Sequence, residues 1–293
     1  MTKSVLVTGA NGFIGENLIP KLIQKKYKIT ILGRRIPHSS QQVRYAAWDI
    51  AKTPLPLAEL KKINAVVHLA SYTNVNQSVL DPVKILKNNA NMLLNVLESC
   101  RQLQRKPIIV FTSTDRVYGK TQKSKVDEQE APYPIEPYTT SKIYGEMLLE
   151  MYRYLYGINY IVLRLVSVYG PGQPRRMFIS DVIQKMIKQD TITVGQLDVY
   201  KNSVFVDDVV QAILAAIETP RSAQNTIYNI GGKYLSLQKI LTILQAKIQK
   251  KLNKKIKIIL DSKLTRRGGI EINTFHLDIK KSKKYLHWQP RIS

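Results

Sequence analysis

The stretch "VLVTGANGFIGENLI", residues 5–19, constrains this chain more than any other. Apolar residues run into three glycines, Gly9, Gly12 and Gly15, and then into apolar residues at helical spacing. A strand, a tight glycine turn and a helix in that order mean that backbone must come close to something. A first glycine permits the turn, a second lets backbone approach a pyrophosphate, and a third lets the helix pack on the strand. The spacing is G-x-x-G-x-x-G, and the helix start adds free N–H groups that suit a phosphate. The motif predicts a dinucleotide site made by Gly9, Asn11, Gly12, Phe13, Ile14 and Gly15.

The strand–helix alternation continues beyond it. Apolar strand runs at 4–9, 28–33, 65–70, 107–113 and 159–170 alternate with helical patterns such as "PVKILKNNANMLLNVLESC" and "YTTSKIYGEMLLEMYRYLYG". Continuous apolar strands belong to a parallel sheet covered on both faces. The expected fold class is α/β: a doubly wound parallel Rossmann sheet with a smaller C-terminal α+β lobe. Residues 1–170 read as the dinucleotide-binding domain and 171–293 mainly as a substrate lobe, with some chain crossing between them.

The second strand ends "ILGRR". NAD binders commonly place an acid there to accept bonds from the ribose hydroxyls. Arg34 and Arg35 stand there instead, and two guanidinium groups suit a 2′-phosphate. NADP is therefore the expected cofactor, with NAD as the alternative.

"PYTTSKIYGE" places Tyr138 and Lys142 four apart on a helical pattern, hence on one face. A lysine ammonium beside a tyrosine favours the phenolate, which can give or take a proton at a carbinol or carbonyl oxygen. Upstream, "VFTSTDRVYG" leaves a buried strand, so Thr114 emerges at the carboxyl end of the sheet, where ligands bind in this architecture.

Together these stretches resemble the extended short-chain dehydrogenase/reductase family, in its NAD-dependent epimerase/dehydratase branch. "VVHLAS", "NNANMLLNVLE", "RLVSVYGPG", "VFVDDVVQAI", "YNIGG" and "LDIKKSKKYLHWQP" match further landmarks of that family in order. The resemblance implies Thr114 as substrate-oxygen donor, Tyr138 as acid/base, and Lys142 as the group that tunes it and holds the nicotinamide ribose. It adds Asp49, Ile50, Leu69, Ala70, Ser71 and Asn89 to the cofactor set. It also implies a nucleotide-diphosphate sugar substrate, with hydride transfer at C4.

The chain departs from the family in places. The sugar 4,6-dehydratases carry two acids after the threonine; here Asp115 is followed by Arg116, which cannot act as a base at neutral pH. A working 4,6-dehydratase is therefore not expected. Ser167 stands where many relatives have an asparagine against the diphosphate. Arg175, Arg176, Arg266 and Arg267 are candidates to clamp that diphosphate, with Asp115 and Arg116 beside the sugar. The resemblance also implies one more helix after "WQPRIS", so the substrate lobe reads as trimmed. The expected reaction is 4-keto reduction, since Arg34 and Arg35 favour NADPH. The alternative is a 4-epimerase, and further alternatives are a non-sugar carbonyl reductase or a non-catalytic cofactor- or RNA-binding relative.

The net charge of +24 comes from lysines spread widely, without basic segments interleaved with aromatics. It reads as a solvated surface rather than a nucleic-acid interface. One cysteine, Cys100, excludes an internal disulfide and a cysteine metal site. With no leader pattern and no membrane-length apolar run, a cytoplasmic protein is expected. A homodimer is expected through the helices around Asn89 and Tyr138. No metal site is expected.

Overall fold

The computed structural model describes residues 3–34, 42–195, 197–261 and 275–292. In chain order the first elements are β1 (Ser4–Thr8), α1 (Phe13–Gln24), β2 (Lys28–Gly33), β3 (Val43–Ala47), α2 (Leu57–Leu60), β4 (Ala65–His68) and α3 (Val75–Leu80). Then come α4 (Pro82–Arg101), β5 (Ile108–Thr114), β6 (Lys125–Val126), α5 (Pro137–Tyr156), β7 (Tyr160–Leu165) and β8 (Ser167–Tyr169). The remainder holds α6 (Phe178–Lys188), β9 (Thr191–Val194), β10 (Tyr200–Phe205), α7 (Val206–Glu218), β11 (Thr226–Ile230) and β12 (Lys233–Ser236). It closes with α8 (Leu237–Leu252), β13 (Lys257–Leu260), β14 (His276–Leu277) and α9 (Lys280–Tyr285).

Seven strands form one parallel sheet in the order β11-β7-β5-β4-β1-β2-β3. The strand order reverses at β1, and that is where an open α/β sheet makes its binding crevice. Strands β4, β5 and β7 are buried along their whole length, which explains their unbroken apolar sequence. Alternate residues feed opposite faces. Val5 and Val7 pack in one core with Leu18, Leu22 and Ile213 from α1 and α7. Leu6 packs in the other with Leu93, Val96 and Leu149 from α4 and α5.

The two long helices of that second face start the same way. Both have proline in the first turn and an acidic N-cap, Asp81 for α4 and Glu136 for α5. Helix α5 stops at Gly157, whose φ of 68° is left-handed.

The C-terminal lobe is built from small sheets: β12-β10-β8, and the pair β13-β9. Val182, Met186, Ile192, Val194, Leu241 and Ile256 give it a core of its own. Both α7 and β11, which follow residue 170, return to the central sheet.

Two strands differ from the sequence expectation. The apolar run 159–170 is two strands in two sheets, because after Val166 donates to the Ile230 carbonyl the chain turns to pair Ser167 with Ser203. Strand β3 is an added edge strand, half-buried and polar enough to carry no continuous apolar run. No helix among the described residues is long and apolar enough to cross a membrane.

Candidate active site

The three glycines divide the work between them. Gly9 has φ +73°, and a Cβ there would meet Ala70 N at 2.5 Å, so the turn packs directly on the end of β4. A Cβ on Gly15 would collide with the Ala10 backbone, so the first turn of α1 packs directly on the turn that follows β1. A Cβ on Gly12 would meet Gly9 O at 3.2 Å, a tight contact within the turn itself rather than with helix or strand. Gly12 is also the N-cap of α1, and as a glycine it has no side chain to cap that helix. The N–H groups of a helix's first turn are what a pyrophosphate needs.

The neighbouring edge agrees. The Ser71 hydroxyl is buried without a hydrogen-bond partner among the described residues, at the carboxyl end of β4 beyond Leu69 and Ala70. Asn89 on α4 accepts from Tyr72 N at 2.8 Å and donates to Ser141 Oγ at 2.9 Å, tying the loop after β4 to α5. Asp49 Oδ1 accepts from Ala51 N at 3.2 Å, and Ile50 is buried beside it. Arg34 is exposed at the end of β2, while Arg35 lies outside the described residues. A glycine at the helix N-cap and a buried hydroxyl without a partner among the described residues, on one edge, fit a dinucleotide. Among the described residues no group of His, Cys, Asp and Glu is placed to hold a metal ion.

Thr114, Tyr138 and Lys142 are all buried, at the end of β5 and in the first turns of α5. Lys142 Nζ donates to the Thr112 carbonyl at 2.8 Å. It lies 4.8 Å from the centre of the Phe111 ring and 5.8 Å from that of Tyr138. The sequence expectation of a lowered tyrosine pKa is not what this geometry gives. Burial pushes the Tyr138 phenol up, Glu136 adds to the push, and Arg116 opposes it. Burial also pushes Lys142 down to about 7, with Glu146 opposing, so the lysine is a weak source of positive charge for its neighbour. His68 on β4, bonded to Thr8 Oγ1 at 3.0 Å, is pushed down to about 3 by burial and by Lys142, and is neutral.

A charged cluster adjoins the tyrosine. Glu136 accepts from Tyr138 N at 3.1 Å, from Ser78 Oγ at 3.2 Å and from Thr139 Oγ1, and pairs with Arg116 Nε at 3.4 Å. Asp115 is buried against Thr114 Oγ1 at 3.3 Å, and burial lifts its carboxyl to about 6 against the pull of Arg116 and Lys201. Sequence reading missed Glu136, although an acid two residues before the tyrosine and just ahead of a proline is a helix-start signal.

The lobe reaches the glycine loop through the turn after β8. Asn17 of α1 donates to the Pro171 carbonyl at 3.1 Å, and Gly172 packs near Glu16 and Phe13. That turn carries Arg175 and Arg176, both exposed, and Arg176 reaches Thr73 beyond β4 at 3.5 Å. Ser167 is exposed on β8. Arg266 and Arg267 lie outside the described residues.

A parallel sheet of this order, with its glycine turn at β1 and a Tyr-x-x-x-Lys helix against β5, is that of an extended short-chain dehydrogenase/reductase, an NAD(P)-dependent enzyme. Residues 5–231 match the sequence model of the NAD dependent epimerase/dehydratase family, and the chain belongs to that family. A Methanocaldococcus jannaschii protein carrying a provisional UDP-glucose 4-epimerase name is 33% identical over 98% of this chain and 93% of its own. The Thermotoga maritima UDP-glucose 4-epimerase, solved with UDP-glucose, matches 99% of this chain and 94% of its own at 27% identity and a TM-score of 0.84. The Bacillus cereus UDP-glucuronic acid 4-epimerase, solved with UDP-glucuronic acid and NAD, matches 99% and 95% at 27% identity and a TM-score of 0.84.

Proposed function

We propose that the protein is a nucleotide-sugar 4-epimerase that acts on a UDP-sugar and works with NAD. The observation that carries this reading is that full-length relatives bearing 4-epimerase names surround a chain that keeps Thr114, Tyr138 and Lys142 together. The expected 4-keto reduction rested on Arg34 and Arg35 and is set aside. Arg34 is a solvent-exposed side chain in a strongly basic protein, and the solved B. cereus relative holds NAD.

The dinucleotide, when bound, supplies a two-electron acceptor and donor at its nicotinamide ring. Tyr138 holds and moves the proton at the sugar O4. Thr114 Oγ1 donates to the same oxygen. Lys142 holds the nicotinamide ribose and lends its charge to the phenol when protonated. Gly12 and the start of α1 take the pyrophosphate, and Ser71 Oγ gains the partner it lacks. Arg116 offers no base for removing water from the sugar, so the 4-keto sugar keeps its other hydroxyls and is re-reduced on its opposite face, which inverts C4. Of the arginine candidates, Arg175 and Arg176 on the turn after β8 are the described ones for the substrate diphosphate, with Ser167 as a further candidate. Residues beyond about 170 form the substrate side, apart from α7 and β11.

A homodimer completes the reading. The outer face of α4 and α5 exposes Val83, Tyr144, Met147, Met151 and Tyr154, an apolar strip that a second copy would cover.

The test is the dinucleotide carried through purification and released by acid. A 4-epimerase returns its electrons to the same sugar and keeps its cofactor, so NAD should be recovered in near-stoichiometric amount. An empty protein that binds NADP tighter than NAD in calorimetry would contradict the reading.

A further inference from the structure

A buried ion pair stands behind the catalytic helix and takes no part in the chemistry above. Glu146 lies one helical turn beyond Lys142 on α5, and both are buried. Its carboxylate accepts from Ser113 Oγ on β5 at 2.5 Å, and from Arg164 Nε and Nη2 on β7 at 3.1 and 2.6 Å. Arg164 in turn lies over the Tyr118 ring at 4.8 Å. Burying such a pair is costly, and apolar residues of the same volume often serve stability as well. Its place beside the lysine gives it another use.

Three successive residues of β5 are involved. The Thr112 carbonyl takes Lys142 Nζ, the Ser113 hydroxyl holds Glu146, and Thr114 is the proposed substrate donor. The groups facing Lys142 are His68 from β4, the Phe111 ring from β5, and Tyr138 and Glu146 from its own helix. His68 is neutral, and Arg164 is engaged by Glu146. Glu146 is the carboxylate of that set.

We propose that Glu146 is a positioning residue: held one helical turn beyond Lys142 by Ser113 and Arg164, it sets the charge state of that lysine. Burial by itself drives this lysine toward its neutral form, and Glu146 is the charge that opposes it. A neutral lysine would no longer favour the phenolate of Tyr138. Only the kinetic consequence rests on the 4-epimerase reading; the charge on Lys142 is measurable without it.

The experiment is carbon NMR on cofactor-free protein labelled at the lysine Cε, with Lys142 assigned by the signal lost in Lys142→Met. In the natural protein Lys142 should titrate at about 7. In Glu146→Gln it should titrate about one to three pH units lower, the size of effect a close carboxylate has. The alkaline limb of the turnover profile should move down with it, and Glu146→Asp should restore part of the shift. Because Glu146→Gln leaves Arg164 buried without its partner, Glu146→Gln/Arg164→Met is measured beside it. A merely structural ion pair would lower the melting temperature of these variants and leave the lysine titration unmoved. That result in any folded variant overturns the inference. A moved titration in a protein that epimerises no sugar would overturn the epimerase reading alone.

Discussion

Burying a lysine and a tyrosine one helical turn apart raises the energy of both charged forms. Tyr138 is held above its ordinary range and Lys142 below its own, so neither is poised by the other in the cofactor-free protein. The phenol must nevertheless exchange a proton at the substrate oxygen. Tyr138→Phe removes that proton and little volume, so turnover should fall roughly a hundred- to ten-thousand-fold. NAD affinity measured by calorimetry should stay near that of the natural protein, and retained turnover would remove Tyr138 from its role. At this scale the sequence was partly legible. The spacing of Tyr138 and Lys142 marked a shared helix face. Glu146 sits at the same spacing from Lys142, yet an acid four residues from a lysine reads as a surface pair. Only the tertiary contacts of Ser113 and Arg164 reveal it as buried.

Helices α4 and α5 show how an element can be read correctly and still be ambiguous. Their apolar residues outnumber what one buried face needs. Leu93, Val96, Leu97, Leu148 and Leu149 enter the core, while Met147 and Tyr154 stay 65% and 87% exposed. From sequence alone the second set could as well have been core. The proposed dimer uses it, and Met147→Glu/Tyr154→Glu should convert a dimer into a monomer in light scattering. A monomeric natural protein would end that proposal. Strands tell the complementary story. Fully buried β4, β5 and β7 were legible as unbroken apolar runs. Edge strand β3 was not, because Val43 alone of its five residues is buried. The break between β7 and β8 was hidden because both sides have strand-forming residues, and only the pairing of Ser167 with Ser203 reveals the change of sheet.

The whole molecule carries a formal charge of +24, and its self-repulsion eases as pH rises toward the sequence pI of about 9.9. The buried lysine acts in the same direction. Lys142 has a folded pKa of about 7 against 10.5 when free. Between those values the unfolded chain binds more protons than the folded one, so stability rises with pH. Asp115, lifted to about 6 from 3.8, works oppositely but only between those two values, and is spent above them. The melting temperature at fixed ionic strength should therefore climb from pH 6.5 to about 9, and Lys142→Met should flatten part of that climb. A falling curve would mean that some other group governs stability. The fold class was legible as a whole because the glycine turn and the alternation of apolar runs agree. The cofactor's adenosine end was less so, because two arginines at the end of a strand look alike whether they meet a phosphate or water.

In a 4-epimerase one site oxidises and re-reduces the same sugar. The direct measurement is product analysis after incubating the purified protein with UDP-glucose, UDP-glucuronic acid or UDP-N-acetylglucosamine, with no added dinucleotide. At least one of these should be converted to a mixture with its 4-epimer, with no net change in reduced cofactor. Consumption of NADPH in step with product formed from a 4-keto sugar, and no epimer from any of the three, would contradict the 4-epimerase reading.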